Sequence, residues 1–134
     1  MLKRIFVSYS FANRNTYKDF NTVLKKYFQS KNIEMYAFVF DYKNIVDDRT
    51  LMKAALKEID SSDLILVELS KKSVGVGVEA GYAKAKGKKI GYLYKKGSDL
   101  QQTINGIADY IIPYDSIEDV ISWFEKSQLL YLST

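Results

Sequence analysis

Ser73, Gly75, Gly77 and Glu79 crowd together in the segment SKKSVGVGVEAGYAKAKGKK, and this is where the chain gathers groups suited to chemistry. A glutamate beside a glycine-bearing segment offers a carboxylate for covalent or electrostatic work at an electron-poor carbon. Hydroxyls and backbone amides ahead of a helix would cradle a phosphate or a sugar. The pattern is neither G-x-x-x-x-G-K-[ST] nor G-x-G-x-x-G, so it is not a Walker loop or a dinucleotide fingerprint. A plainer reading stands beside the chemical one: two glycines also make a tight turn, and an acidic residue is simply favourable near a helix start.

The elements around these residues follow from periodicity. Residues 64–69 are an apolar run short enough for a buried strand, broken only by Glu68. Residues 70–77 read as a glycine loop. A helix is then expected from Val78, closed by Gly87 as its C-terminal glycine. On this reading Glu79 lies in the first turn, where unpaired amides and the macrodipole favour its ionised form.

Composition restricts the remaining chemistry. With no histidine and no cysteine, Ser-His triads, imidazole bases, disulfides and thiolate metal sites are all excluded. Carboxylates, lysines, tyrosines and hydroxyls are left to act, and neither a metal nor an organic cofactor is expected. The net charge of +4, from 20 basic and 16 acidic side chains, is spread along the chain. Lys84, Lys86, Lys88 and Lys89 fall on more than one helical face, without the aromatic-interleaved basic stripe of a nucleic-acid binder. No apolar run has membrane-spanning length, and the opening MLKRIFVSYSF is too short in apolar residues for a signal peptide. The cytoplasm is the expected location.

Taken in order, residues 5–9 form a first strand and residues 10–15 a polar loop. A helix from Thr16 carries Tyr17, Phe20, Val23, Leu24, Tyr27 and Phe28 at helical spacing. Residues 35–40 give a second strand and residues 41–49 a charged surface loop. Thr50 is expected to cap a second helix with Leu51, Ala54, Ala55 and Ile59 on its inner face. A fourth strand covers residues 89–94, a short helix residues 100–107, and a fifth strand residues 110–112, stopped by Pro113. Asp115, Ser116, Glu118 and Asp119 form a capping arrangement for a last helix, and residues 128–134 read as a tail. Residues 1–134 thus make one α/β domain, a flavodoxin-like sandwich whose five-stranded, mostly parallel sheet has the order 2-1-3-4-5. Ligands in such sheets bind beyond the strand ends at the switch point between the first and third strands, which places Ser10, Ser73 and Glu79 at one pocket.

The segment SSDLILVELSKKSVGVGVEAGYAKAKGKKI resembles the signature of the nucleoside 2-deoxyribosyltransferase superfamily, and most of all its branch of 2'-deoxynucleoside 5'-phosphate N-hydrolases; INGIADYIIPY continues the likeness weakly. The resemblance implies cleavage or exchange at the N-glycosidic bond of a nucleoside or its 5'-monophosphate. Glu79 matches the nucleophile, while Ser73 and Ser10 match serines that contact the phosphate. Gly75 and Gly77 would supply amides to the phosphate or sugar, and Tyr9 and Phe11 would flank the base. The family's sites often lie at a subunit interface, so a homodimer or larger homo-oligomer is implied.

The chain departs from that pattern at several positions. Ala55 stands where the family carries an aspartate that helps protonate the leaving base, so Asp47 or Asp48 would have to substitute. Tyr9 replaces a small glycine, Ala12 an arginine, and Gln101 a phosphate-binding serine of the partner chain. IFVSYSFANRN also resembles the opening of TIR domains, some of which hydrolyse NAD, but their tryptophan-cysteine motif is missing. A third reading, favoured by Ala55, is a nucleotide-sensing or interaction module that has lost turnover.

Overall fold

Period-two alternation in the apolar runs decides which side chains each face of the sheet receives. The structure, a computed structural model, describes residues 1–131. Its elements are β1 (Arg4–Ser8), α1 (Arg14–Ser30), β2 (Glu34–Ala37), a single helical turn α2 (Phe38–Asp41), α3 (Asp48–Asp60) and β3 (Leu64–Glu68). There follow α4 (Val74–Ala85), β4 (Lys89–Lys95), α5 (Gln102–Ile107), β5 (Tyr110–Tyr114), α6 (Ile117–Ser127) and a 3-10 turn at Leu129–Tyr131. The five strands form one sheet in the flavodoxin-like order β2-β1-β3-β4-β5, and every neighbouring pair is parallel. Parallel neighbours require crossovers, which the helices provide on both faces.

Ile5, Val7, Leu64 and Leu66 face one layer, where they meet Leu24 and Phe28 of α1 and Val120 and Phe124 of α6. Phe6, Ile65 and Val67 face the other, against Ile59 of α3 and Val76, Ala80 and Ala83 of α4. Each large side chain buried in this way contributes about 1.5–3 kcal/mol relative to exposure. Gly91 lies on β4 between β3 and β5, where a Cβ would approach Leu66 Cδ2 to 2.7 Å, so a side chain there would force the Leu66 side chain to shift. Gly87, with φ +73°, ends α4 in the left-handed conformation expected of it. The capping box at α6 is present as Ser116 and Asp119.

Four local expectations are corrected. The aromatic run at residues 35–40 leaves the sheet after Ala37, because the Asp41 carboxylate accepts the Ala37 amide at 2.8 Å and binds Lys25 at 3.0 Å, closing α2. Asp47, not Thr50, caps α3: its side chain accepts the Thr50 amide at 2.8 Å. Pro113 does not stop β5 but lies within it, paired with Tyr94. The Tyr114 carbonyl accepts the Lys96 amide, so alternation turns the proline nitrogen to the free edge, where no donor is needed. In the expected tail, Leu129 and Leu130 are buried, and the Leu2 amide donates to the Leu130 carbonyl at 3.0 Å; residues 132–134 lie outside the described residues.

The correction that matters most for the site concerns α4. Residues 70–77 do not form one loop, because the helix begins at Val74 with Ser73 as its N-cap, accepting the Val76 amide at 3.4 Å. Gly75 and Gly77 are therefore helical residues. Each glycine costs about 1 kcal/mol against alanine inside a helix. Burial of Val76, Ala80 and Ala83 against the sheet outweighs that propensity.

Candidate active site

The switch point between β1 and β3 opens into a cavity of about 730 Å³. Tyr9, Ser10 and Phe11 line it from the segment after β1, Phe38, Val39 and Tyr42 from the α2 region, and Leu51, Met52 and Ala55 from α3. The fourth wall is α4, with Ser73, Gly75, Val76 and Glu79, while Asn44, Ile45 and Val46 form part of the rim. Of the residues singled out from the sequence, Tyr9, Ser10, Phe11, Ser73, Gly75 and Glu79 meet here. Gly77 does not: it borders a second cavity of about 450 Å³ between α4 and α5, together with Gln101 and Ile104. Lys72, Ser73 and Val74 line both and so form the ridge between them.

Glu79 is not in the first turn of its helix, since α4 starts five residues earlier. Dipole stabilisation fades within the first turn, so the helix dipole does not lower the Glu79 pKa as expected. Burial pushes the Glu79 carboxyl above its ordinary pKa, and the Ser8 hydroxyl, donating to Oε1 at 2.6 Å, opposes that rise. The arrangement is a shielded carboxylate whose one oxygen is fixed by the end of β1. Ser8 was not among the residues picked out from sequence. Its signal lay in the alternation of β1, which places Ser8 on the same face as Phe6, beneath α4.

The other predicted residues take varied positions. Tyr9 is 2% exposed, stacks on Tyr17 at 5.3 Å between centroids, and leaves its hydroxyl without a partner. Its body belongs to the core as much as to the cavity wall. Ser10 is buried and accepts from Asn13 Nδ2 at 3.0 Å. Phe11 is 63% exposed at the mouth, with the Arg14 guanidinium 4.0 Å from its ring centre. Asp47 is occupied as the α3 cap, which holds its carboxyl below the usual range. Neither Asp47 nor Asp48 lines the cavity, so the suggested replacement for the acid at Ala55 is not realised. Asp63 accepts the Lys3 and Arg4 amides, tying β1 to β3.

A second polar centre, also missed in the sequence, lies on the opposite face of the sheet. Glu68, 1% exposed, accepts from the Tyr17 hydroxyl at 3.0 Å and from the Ser70 amide and hydroxyl at 2.8 Å each. The Tyr114 hydroxyl donates to it as well. Burial, followed by the nearby Glu68 carboxylate, pushes the Tyr17 and Tyr114 phenols above their ordinary pKa. This centre anchors Ser70 at the end of β3 and so fixes where the chain sets out toward Lys72 and Ser73. Among the described residues no group of three or more acidic side chains is placed to hold a metal ion, and no helix is long and apolar enough to cross a membrane.

No protein-family model matches the chain, and no curated protein does. Solved structures do. A CMP N-glycosidase, BcmB, of Clostridium botulinum superposes with a TM-score of 0.72 at 21% identity, covering 92% of this chain and 99% of that one. A 2-deoxyribosyltransferase of Bacillus psychrosaccharolyticus gives 0.70 at 16% identity, covering 88% and 90%. A 2-deoxyribosyltransferase of Leishmania mexicana gives 0.69 at 15% identity, covering 95% and 99%. A 3-dehydroquinate dehydratase-like protein of Bifidobacterium longum also matches, with a TM-score of 0.60 at 8% identity. At these identities the likeness establishes the fold shared with nucleoside-processing enzymes.

Proposed function

We propose that this chain is an enzyme that cleaves or exchanges the N-glycosidic bond of a nucleoside or its 5'-monophosphate, with Glu79 as nucleophile. The observation that carries this reading is the shielded Glu79 carboxylate, fixed by Ser8 in an aromatic-walled cavity at the switch point. The fold likeness to an N-glycosidase and to deoxyribosyltransferases supports it. Glu79 attacks the anomeric carbon from the face opposite the base and forms a glycosyl ester through an oxocarbenium-like transition state. Water or a second base then resolves the ester. Lys72, the Ser73 hydroxyl and the amides opening α4 suit a 5'-phosphate, while Tyr9, Ser10 and Phe11 border the sugar and base. Exposed apolar residues at the mouth, Phe11, Ile45 and Val74, suit closure by a second copy of the chain. Placement in the cytoplasm completes the proposal.

The test is chromatographic measurement of base release from deoxynucleosides, ribonucleosides and their 5'-monophosphates. Release from one sugar class is expected, and silence across the panel would overturn the enzyme reading. The Ser8 contact adds a second expectation. The nucleophile acts ionised, so the rate should climb as pH rises through the elevated pKa of Glu79. Ser8→Ala removes the bond that favours the ionised form and should move that climb to still higher pH. A hydrogen bond to a charged group contributes about 1.5–3 kcal/mol, so activity on the acid side should fall by at least about tenfold and recover toward alkaline pH. An unshifted profile would remove Ser8 from the mechanism.

A further inference from the structure

The side of the cavity away from the Lys72 and Ser73 ridge is apolar and aromatic. Leu51, Met52 and Ala55 of α3 face it, and Phe38 and Tyr42 stand there as a stacked pair, 4.6 Å between centroids and 14° between planes. Phe11 stands exposed at the mouth, with the Arg14 guanidinium over its ring. The charged side chains lining the cavity are Glu79 and, on the ridge, Lys72. Of the acidic residues nearest in sequence to the base side, Asp41 is engaged by Lys25 and the Ala37 amide, Asp47 by Thr50 and Glu58 by Arg4, and Asp48 does not line the cavity. The Tyr9 phenol, raised further by burial, is a poor proton donor near neutrality.

A neutral base leaves a sugar as an anion unless it is protonated, and among the described residues of one protomer this wall presents no acidic side chain to protonate it. A base that already carries a positive charge leaves as a neutral molecule. We infer that the substrates are N-glycosides of cationic heteroaromatic bases, such as a pyridinium or an N7-alkylated purine nucleotide. This rests on the N-glycosidase reading above and narrows it. Aromatic faces and one carboxylate suit a planar cation, and the attraction disappears once the base is neutral, which favours its release.

The step balances without an acid. A Glu79 carboxylate oxygen bonds to C1' as the C1'–N bond breaks, and the bonding electron pair neutralises the ring nitrogen. Water then attacks C1', the ester C1'–O bond breaks, the carboxylate is regenerated, and one proton passes to solvent.

The deciding experiment measures base release by the wild-type protein from matched 5'-monophosphates: nicotinamide riboside and N7-methylguanosine for the cations, cytidine and guanosine for the neutral bases. Each rate is divided by the spontaneous hydrolysis rate of its own substrate, and the 2'-deoxy counterparts are run in parallel. An enzyme that supplies an acid adds roughly 10²- to 10⁴-fold for neutral bases only, so without one the normalised rate for the neutral bases should not exceed that for the cations. Normalised release of cytosine or guanine exceeding that of the cations by about a hundredfold overturns the inference while leaving the N-glycosidase reading intact. Release from none of the substrates removes both.

Discussion

Replacing Glu79 with glutamine is expected to abolish base release while leaving ligand affinity nearly unchanged. The amide has the shape of the carboxyl and still offers Ser8 an acceptor oxygen, so the cavity wall and the packing of α4 should persist. What disappears is the nucleophile. Losses for removing a reacting group are commonly about 10⁴-fold or more, and a loss of that size is expected here. Retained affinity would be read as an unchanged rise in melting temperature with a neutral-base nucleotide that stabilises the wild type, so that attraction between the carboxylate and a cationic base does not enter. Intact-mass analysis under turnover should detect one added glycosyl group on the wild type and none on the variant. A Glu79→Gln protein that keeps activity to within tenfold would eliminate covalent catalysis by this residue. Loss of affinity together with activity would instead make Glu79 a binding group.

Glu68→Ala should produce the largest change in stability. The substitution strands the Tyr17 hydroxyl, the Tyr114 hydroxyl and the Ser70 amide and hydroxyl together. Each unsatisfied buried donor costs about 1–3 kcal/mol, and relief from burying a carboxylate recovers part of the sum. A net loss of about 3 kcal/mol is expected, which lowers the melting temperature by roughly 10 °C in a chain of this size. Glu68→Gln retains an acceptor oxygen and should recover a substantial part of the loss. Calorimetry on the two variants checks this, and an alanine variant as stable as the wild type would show that the network contributes nothing net. Activity should fall too, since Ser70 begins the path to Ser73, and this fall should persist well below the melting transition.

The layers of the fold were legible because they depend on local periodicity. Ile5 and Val7, Leu64 and Leu66, and the helical spacing of Leu24 and Phe28 each declare a face within a few residues. The strand order followed from right-handed crossovers acting on that succession. Elements went astray where a side chain from elsewhere in the sequence decided the outcome. Lys25 and Asp41 end β2 across a gap of 16 residues, which no window over the aromatic run reveals. The start of α4 was misplaced because glycine propensity pointed to a loop, whereas sheet packing of Val76 and Ala80 decided for helix. That misplacement also inverted the electrostatics of Glu79, turning an expected dipole-stabilised anion into a carboxyl raised by burial. The motif singled out the residue without revealing its surroundings. Ser8 reaches it from 71 positions away, and Tyr17 reaches Glu68 from 51, separations at which only tertiary structure selects partners.

Pro113 bears on how copies of the chain behave when crowded together. An exposed outer strand normally offers a row of unpaired donors onto which another chain can add, the route to fibrils and runaway aggregation. On β5 the ring of Pro113 interrupts that row at the outward-facing nitrogen, beside Ile111, which is partly exposed. At the opposite margin β2 is four residues long and turns away into α2, too brief a template for stable growth. Both margins of the sheet are thus blunted against the strand-by-strand addition through which aggregates propagate.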